Sequence, residues 1–161
     1  MPDDRRSASR LTGPAPVAVA ATVSAAVAGN AFVGRESLEW FRSLRRPRGM
    51  PSMPVFLAVG AAYYVAMGTV LYRCLQRRDR RAGTLAVSVL ALNEAWNIAF
   101  FGSRSTRNGF LGTVAFTGPL GALATAVRKD PVSRTLVGTY AAWVAYDLWW
   151  THGLWRLNPD D

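Results

Sequence analysis

The chain alternates long apolar stretches with short basic ones. Five stretches of 20 to 24 residues hold at most one charged residue each: residues 11–34, 49–72, 82–103, 108–127 and 135–155. The two exceptions are Glu94 in the third stretch and Asp147 in the fifth. About 20 residues of helix cross the roughly 30 Å hydrocarbon core of a bilayer. A helix at the surface of a soluble protein would instead carry charges every few positions, so the pattern predicts five transmembrane helices.

The predicted fold is an all-α integral membrane protein, a single bundle of five transmembrane helices over residues 12–159. The predicted helices cover, in order, residues 14–33, 54–72, 82–101, 109–127 and 132–155. The basic N-terminal residues 1–11 are predicted to be disordered. The first apolar run also resembles a secretory signal peptide, but it is long for a signal and four more spans follow, so we interpret it as the first helix.

The connection after the first helix, residues 34–53, is the longest. Trp40 and Phe41 suit the membrane–water interface, and the prolines stiffen the segment. It could therefore lie as a lid over one mouth of the bundle. In the fourth helix Pro119 predicts a kink, and the glycines form a smooth face. That face could pack inside one bundle or form the seam of a homodimer.

The net charge of +9 comes from basic residues in the connections, such as "RSLRRPR" (Arg42–Arg48) and "RRDRR" (Arg77–Arg81). This placement is typical of membrane topology and lipid headgroups, and we expect no nucleic-acid partner. The single Cys74 excludes an intramolecular disulfide. One Cys and one His far apart indicate no metal site. We expect a multi-pass integral membrane protein of a bacterial cell membrane, with the lipid bilayer as a partner.

Two helices carry polar and aromatic residues at helical spacing on one side. The third helix has Asn93, Trp96, Asn97 and Phe100, with Glu94 at the border of this stripe; the fifth has Tyr140, Trp143, Asp147, Trp150 and Thr151. Polar groups facing lipid cost several kcal/mol each, so both stripes should face the interior. Such an interior suits a flat or elongated apolar ligand. The predicted ligand-binding residues are Asn93, Trp96, Asn97, Phe100, Tyr140, Trp143, Trp150 and, in the second helix, Tyr64. Any single tryptophan could equally serve core packing.

Four motifs follow one another along the chain: "WFRSLRRP" in the first loop with Pro51 and Phe56 downstream, "YYVAMG" in the second helix, "LNEAWNIAFFG" in the third, and "YAAWVAY" with "LWRLNP" in the fifth helix and tail. Together they resemble the TspO/MBR family of tryptophan-rich sensory proteins. The resemblance covers about residues 14 to 159. It implies a five-helix membrane bundle, often dimeric, with a pocket beneath the first loop. It also implies binding of tetrapyrroles such as protoporphyrin and haem.

By matching position, the resemblance implies pocket aromatics at Trp96 and Trp143, with Asn93, Phe100 and Tyr140 beside them. The chain departs from the family pattern at several positions. Glycine stands at Gly49 and Gly60 where the family has tryptophan, which would enlarge the pocket. Asp147 occupies a pocket position that is normally a small residue, and Glu94 a position that is usually uncharged. The sequence is therefore similar to a divergent member, whose ligand could differ.

Two classes of function fit these residues. The first, which we favour, is a binding, transport or sensory protein for a hydrophobic tetrapyrrole-like ligand such as porphyrin or haem, with no cofactor required. Tryptophan and tyrosine rings would stack on the ligand, and loop arginines could pair with its propionates. The alternative is a membrane-embedded enzyme, similar to a terpene cyclase, in which Glu94 and Asp147 act as general acid and base on an isoprenoid-type substrate. Aromatic faces would then stabilise a carbocation. A structural membrane partner without a ligand is the third option, and the two inward polar stripes argue against it.

Overall fold

The computed structural model describes residues 13–159, and six α-helices follow one another along them. They are α1 Pro14–Asn30, α2 Arg35–Ser43, α3 Met53–Gln76, α4 Arg80–Asn97, α5 Thr106–Ala126 and α6 Pro131–Leu157. The segment Ile98–Gly102 prolongs α4 as a short π-helix. The all-helical membrane fold predicted from the sequence is confirmed. The predicted disordered segment 1–11 lies outside the described residues, as does residue 12 of the predicted domain.

The sequence predicted five transmembrane helices, whereas the described residues form six α-helices, because the first loop contains the short helix α2. Its nine residues include four charged side chains besides Trp40 and Phe41, so it has neither the length nor the apolar content of a span. The five long helices overlap the five predicted ones. Proline lies in the first turn of α1, α3 and α6, where its missing N–H costs no hydrogen bond. Asp79 caps α4 through the backbone N–H of Ala82 at 3.0 Å.

Three helices in the described part of the chain are long and apolar enough to cross a membrane: α3, α4 with its π-helical end, and α5. The pair α1–α2, bent by 65°, raises the number to four if the two form one broken span. Helix α6 is 27 residues long but is not among them. Its mean hydropathy is lowered by Asp147, His152 and four tryptophans. The helix packs against α3 and α5.

The five long helices form a ring in the order α1, α3, α6, α5, α4. Helices α3 and α4 also contact each other across this ring. Close to the turn between α3 and α4, small and aliphatic side chains fill the interior of the ring, among them Val70, Leu71, Ala86 and Leu123. A second, aromatic cluster contains Phe41 of α2, Phe100 and Trp150. The ring therefore has an aliphatic core and, under the first loop, an aromatic one.

The first loop is fastened to the C-terminal end of α6. The side chain of Asn158 accepts a hydrogen bond from the backbone N–H of Arg45 at 3.0 Å and donates one to the backbone carbonyl of Arg45 at 3.0 Å. The hydroxyl of Tyr146 donates to the carbonyl of Gly49. Gly49 has a φ of 76°, a left-handed conformation that favours glycine. The loop thus covers one end of the bundle, in the position predicted for a lid.

An ion-pair cluster joins α3 to the start of α6. The buried carboxylate of Asp130 accepts two hydrogen bonds from Arg73, at 2.7 and 2.6 Å, and one from Arg77 at 3.0 Å. The hydroxyl of Ser133 donates to it at 2.6 Å. The hydrogen bonds from Arg73, more than any other cause, hold the pKa of the Asp130 carboxyl below its ordinary value. The cluster therefore stabilises the fold most when Asp130 is ionised.

The glycines of α5 do not share one role. A Cβ at Gly109 would lie 2.4 Å from the Phe100 ring, and one at Gly112 would lie 3.0 Å from the Trp96 ring. A Cβ at Gly118 or Gly121 would have no neighbour within 4 Å. The first two therefore admit aromatic side chains of α4 inside the bundle. The homodimer seam through Gly118 and Gly121 stays a prediction.

Candidate functional site

A cavity of about 690 Å³ lies within the bundle beneath the first loop. All eight predicted ligand-binding residues line it: Tyr64, Asn93, Trp96, Asn97, Phe100, Tyr140, Trp143 and Trp150. They come from α3, α4 with its π-helical end, and α6. The helical spacing in the sequence therefore identified side chains that the fold brings together around one space.

The aromatic walls of the cavity are held in fixed orientations. The Trp96 ring stacks on Phe100 with centroids 5.0 Å apart and an angle of 25° between the planes. Its indole N–H donates to the carbonyl of Gly109 at 2.8 Å and to the hydroxyl of Thr113 at 3.0 Å. On the other side, the Trp150 ring lies edge-on to Phe56 at 5.2 Å. Rings anchored in this way offer preorganised faces to a flat ligand.

The π-helical turn explains a feature that the sequence pattern missed. Phe100 and Phe101 are consecutive, yet both line the cavity. In the π-helical segment the N–H of Ser103 bonds to the carbonyl of Ile98, five residues earlier, at 3.0 Å. This wider turn changes the direction of successive side chains. Phe41, Phe56 and Tyr63 also line the cavity, although they were not among the predicted ligand-binding residues. Each belongs to a motif that carries the family resemblance, which is the signal that could have identified them.

Glu94 is buried but is not among the residues that line the cavity. Its Oε1 accepts hydrogen bonds from the hydroxyl of Tyr64 at 2.8 Å and from Nδ2 of Asn93 at 3.3 Å. Its Oε2 accepts one from Nδ2 of Asn97 at 3.1 Å. The hydroxyl of Tyr140 in turn donates to Oδ1 of Asn93 at 3.2 Å. Glu94 therefore orients cavity side chains from behind, at the junction of α3, α4 and α6.

Helix α1 comes very close to this carboxylate. A Cβ built at Gly29 would lie 1.4 Å from Oε2 of Glu94 and 2.8 Å from Nδ2 of Asn97. Only glycine leaves room for the Glu94 side chain at this contact. The polar network therefore depends on a position in α1 that no sequence pattern marks, since Gly29 is one glycine among many small residues.

Asp147 lines the cavity directly, unlike Glu94. Its Oδ1 accepts a hydrogen bond from the indole N–H of Trp150 at 2.7 Å. The two acids that the enzyme hypothesis combines are therefore placed differently: one on the cavity wall, one behind it. Asp147 alone could reach a molecule inside the cavity.

Charge at the mouth comes from the first loop. Arg42 of α2 is exposed and is among the residues lining the cavity. Leu57 at the start of α3 also lines it, and 69 % of that residue is exposed, so the cavity communicates with the outside of the bundle on this side. A guanidinium in this position could pair with a carboxylate of a ligand whose body lies inside.

The described residues include no group of three or more His, Cys, Asp or Glu that could hold a metal ion. His152 packs against Phe110, with ring centroids 5.1 Å apart, and does not line the cavity. Within the part of the chain that the structure describes, the cavity wall therefore offers aromatic faces, amides, one carboxylate and one guanidinium. These groups can hold a planar organic molecule without coordinating a metal.

A helical bundle that encloses an aromatic cavity beneath a fastened loop defines a class: polytopic membrane proteins that bind a small hydrophobic molecule. The TspO/MBR family model matches residues 17–156, and the chain belongs to that family. Among similar proteins, the translocator proteins of Ovis aries and Homo sapiens are each 28% identical over 137 residues, which is 81% of this chain and 81% of theirs. The tryptophan-rich protein TspO of Chlorobaculum tepidum is 27% identical over 139 residues, 82% of this chain and 87% of that one.

Family membership confirms the resemblance seen in the motifs and the integral membrane location. It also supports a membrane binding, transport or sensory role with a small hydrophobic ligand in a lipid bilayer. The identity of that ligand and the role of each lining residue are subjects of proposal.

Proposed function

We propose that the protein binds a planar tetrapyrrole-like ligand, such as protoporphyrin or haem, in the cavity beneath its first loop and thereby acts in transport or sensing. The observation that carries the proposal is the cavity of about 690 Å³ whose walls are rings from α3, α4 and α6. Flat conjugated molecules gain from stacking on such rings. Pockets of 300–1,000 Å³ are the usual size for small-molecule and cofactor sites.

The polar groups around the cavity suit the same ligand. Arg42 at the mouth can pair with propionate groups at the edge of a macrocycle. Gly60 lines the cavity, and a Cβ there would meet nothing within 4 Å. This supports the idea that its small size widens the space. Gly49 is not a lining residue, so the proposal needs a widening effect from Gly60 alone.

The test is a titration of the detergent-solubilised protein with protoporphyrin IX and with haem, followed by quenching of tryptophan fluorescence. The informative variant is Trp143→Phe, because Trp143 lines the cavity. The matched control is Trp155→Phe on the same helix, because Trp155 stacks on Phe110 and does not line the cavity. We expect saturable binding that Trp143→Phe weakens by about 2- to 10-fold, because phenylalanine keeps only a smaller ring face for stacking, while Trp155→Phe leaves it unchanged. Absence of saturable binding, or equal weakening by both variants, would count against the proposal.

A further inference from the structure

Two charged side chains line the cavity among the described residues, and they differ in position. Arg42 is exposed at the mouth, whereas Asp147 comes from the part of α6 that lies between Trp143 and Trp150. We infer that the cavity also takes planar hydrophobic ligands that carry a positively charged nitrogen, in preference to neutral analogues of the same frame, and that the carboxylate of Asp147 binds this nitrogen. The inference rests on the proposed function, because it requires the cavity to be a ligand site.

Asp147 has no ion-pair partner among the described residues, since none of the four ion pairs there involves it. Its hydrogen-bond donor is the neutral indole of Trp150, at 2.7 Å from Oδ1. An indole N–H stabilises a carboxylate but leaves its net charge in place. Asp147 is half-buried on the cavity wall, where a carboxylate gains more from an opposite charge than it would in bulk water, and a cationic ligand would supply that charge.

Aromatic rings line the cavity near the Asp147 carboxylate. Trp143, Trp150 and Tyr140 of α6 line it, and Phe56 of α3 contacts the Trp150 ring. The faces of aromatic rings attract cations, and tryptophan does so most strongly. A carboxylate among several aromatic rings is suited to an organic ammonium or iminium ion, because the rings interact with its apolar body as well as with its charge.

Glu94 differs from Asp147 in its partners and in its position. That carboxylate already accepts hydrogen bonds from Tyr64, Asn93 and Asn97, and it does not line the cavity. Its contacts within the protein account for its presence. The side-chain hydrogen bond that Asp147 accepts comes from a neutral indole, and the carboxylate has access to the cavity, so a ligand is the partner that its position still allows.

The experiment compares two probes with the same three-ring frame: 9-aminoacridine, which is a cation at neutral pH, and acridine, which is neutral there. Binding is measured in a non-ionic detergent by the fluorescence of each probe. We expect the wild-type protein to bind the cation about tenfold more tightly than the neutral compound, which corresponds to about 1.4 kcal/mol. In Asp147→Asn, which keeps an acceptor for Trp150 but removes the charge, the preference should fall to about twofold or less.

The control is Glu39→Gln, which removes an exposed carboxylate on α2 that pairs with Arg35 and should leave the preference unchanged. If Asp147→Asn does not fold, Asp147→Ala provides the same comparison. A preference that survives the loss of the Asp147 charge, or that is missing from the wild-type protein, overturns the inference. Protoporphyrin binding weakened by Trp143→Phe, together with no cation preference, would leave the proposed function standing while this inference fails. If 9-aminoacridine, acridine and protoporphyrin all failed to bind, both this inference and the proposed function would be contradicted.

Discussion

Replacement of Gly29 by alanine should destabilise the bundle through Glu94. Gly29 is a buried residue of α1, and a Cβ there would lie 1.4 Å from Oε2 and 2.6 Å from Cδ of Glu94. Since no such separation is sterically allowed, the Glu94 carboxylate must move. The matched control is Gly60→Ala in α3, where a Cβ would meet nothing within 4 Å. Both substitutions put the same methyl group into a helix, and they differ in what that group meets.

The magnitude follows from the contacts of Glu94. Displacement of its carboxylate breaks the hydrogen bond from Asn97 and disturbs the one from Tyr64. Such bonds contribute about 0.6–1.5 kcal/mol each in membrane and soluble proteins, and a buried acceptor left without its partner costs about 1–3 kcal/mol. Alanine recovers up to about 1 kcal/mol through its better helix propensity. The net loss for Gly29→Ala is therefore about 2 kcal/mol, whereas Gly60→Ala should be neutral or slightly stabilising.

The assay is thermal unfolding in detergent, followed by tryptophan fluorescence. A loss of about 2 kcal/mol lowers the melting temperature by about 4–8 °C for a chain of this size. The effects of Gly29→Ala and Glu94→Ala should also be non-additive, because Glu94→Ala removes the side chain with which the new methyl group clashes. Gly29→Ala should therefore cost much less in a Glu94→Ala background than in the wild-type protein. Equal melting temperatures for Gly29→Ala and Gly60→Ala would refute the reasoning, because the Glu94 side chain would then not occupy the space beside α1.

Two further predictions concern the contacts that fasten the bundle. Because the folded pKa of Asp130 lies below its ordinary value near 3.8, its contribution to stability is present above that pH and is lost as the pH falls further. Asp130→Asn should therefore melt several degrees below the wild-type protein at pH 7, and this difference in melting temperature should narrow below about pH 4. A difference that stays constant with pH would contradict the view that the ion pairs with Arg73 and Arg77 carry the contribution of Asp130. Asn158→Ala should remove both hydrogen bonds to the backbone of Arg45 and accelerate tryptic cleavage of the first loop severalfold, whereas an unchanged cleavage rate would show that other contacts hold the loop.

The long helices could be predicted because their signal is local. Runs without charge mark the spans, and proline and Asp79 mark several starts. Helix α2 could not be predicted in the same way, since its nine residues are mostly polar and its position depends on Phe41 packing against the ends of α3 and α4. A short amphipathic helix of this kind is stabilised by tertiary contacts rather than by its own propensity.

The sequence pattern predicted which helix faces line the candidate site, but not how the side chains on those faces are placed relative to one another. Helical spacing identified residues on α4 and α6 that do line one cavity. It could not separate the two acids, because the place of Glu94 depends on the approach of Gly29 from another helix. Nor could it show that Phe101 shares the cavity with Phe100, because a π-helical turn breaks the regular period on which such patterns rest.

The most direct test of the proposed function is a structure of the protein determined in the presence of protoporphyrin IX. The macrocycle should lie in the cavity with a ring face against Trp143 or Trp150 and its carboxylates directed toward Arg42. A macrocycle bound instead in the shallow groove between α1 and α3, lined by small residues such as Ala18 and Gly68, would contradict the proposal. So would an empty cavity at saturating ligand.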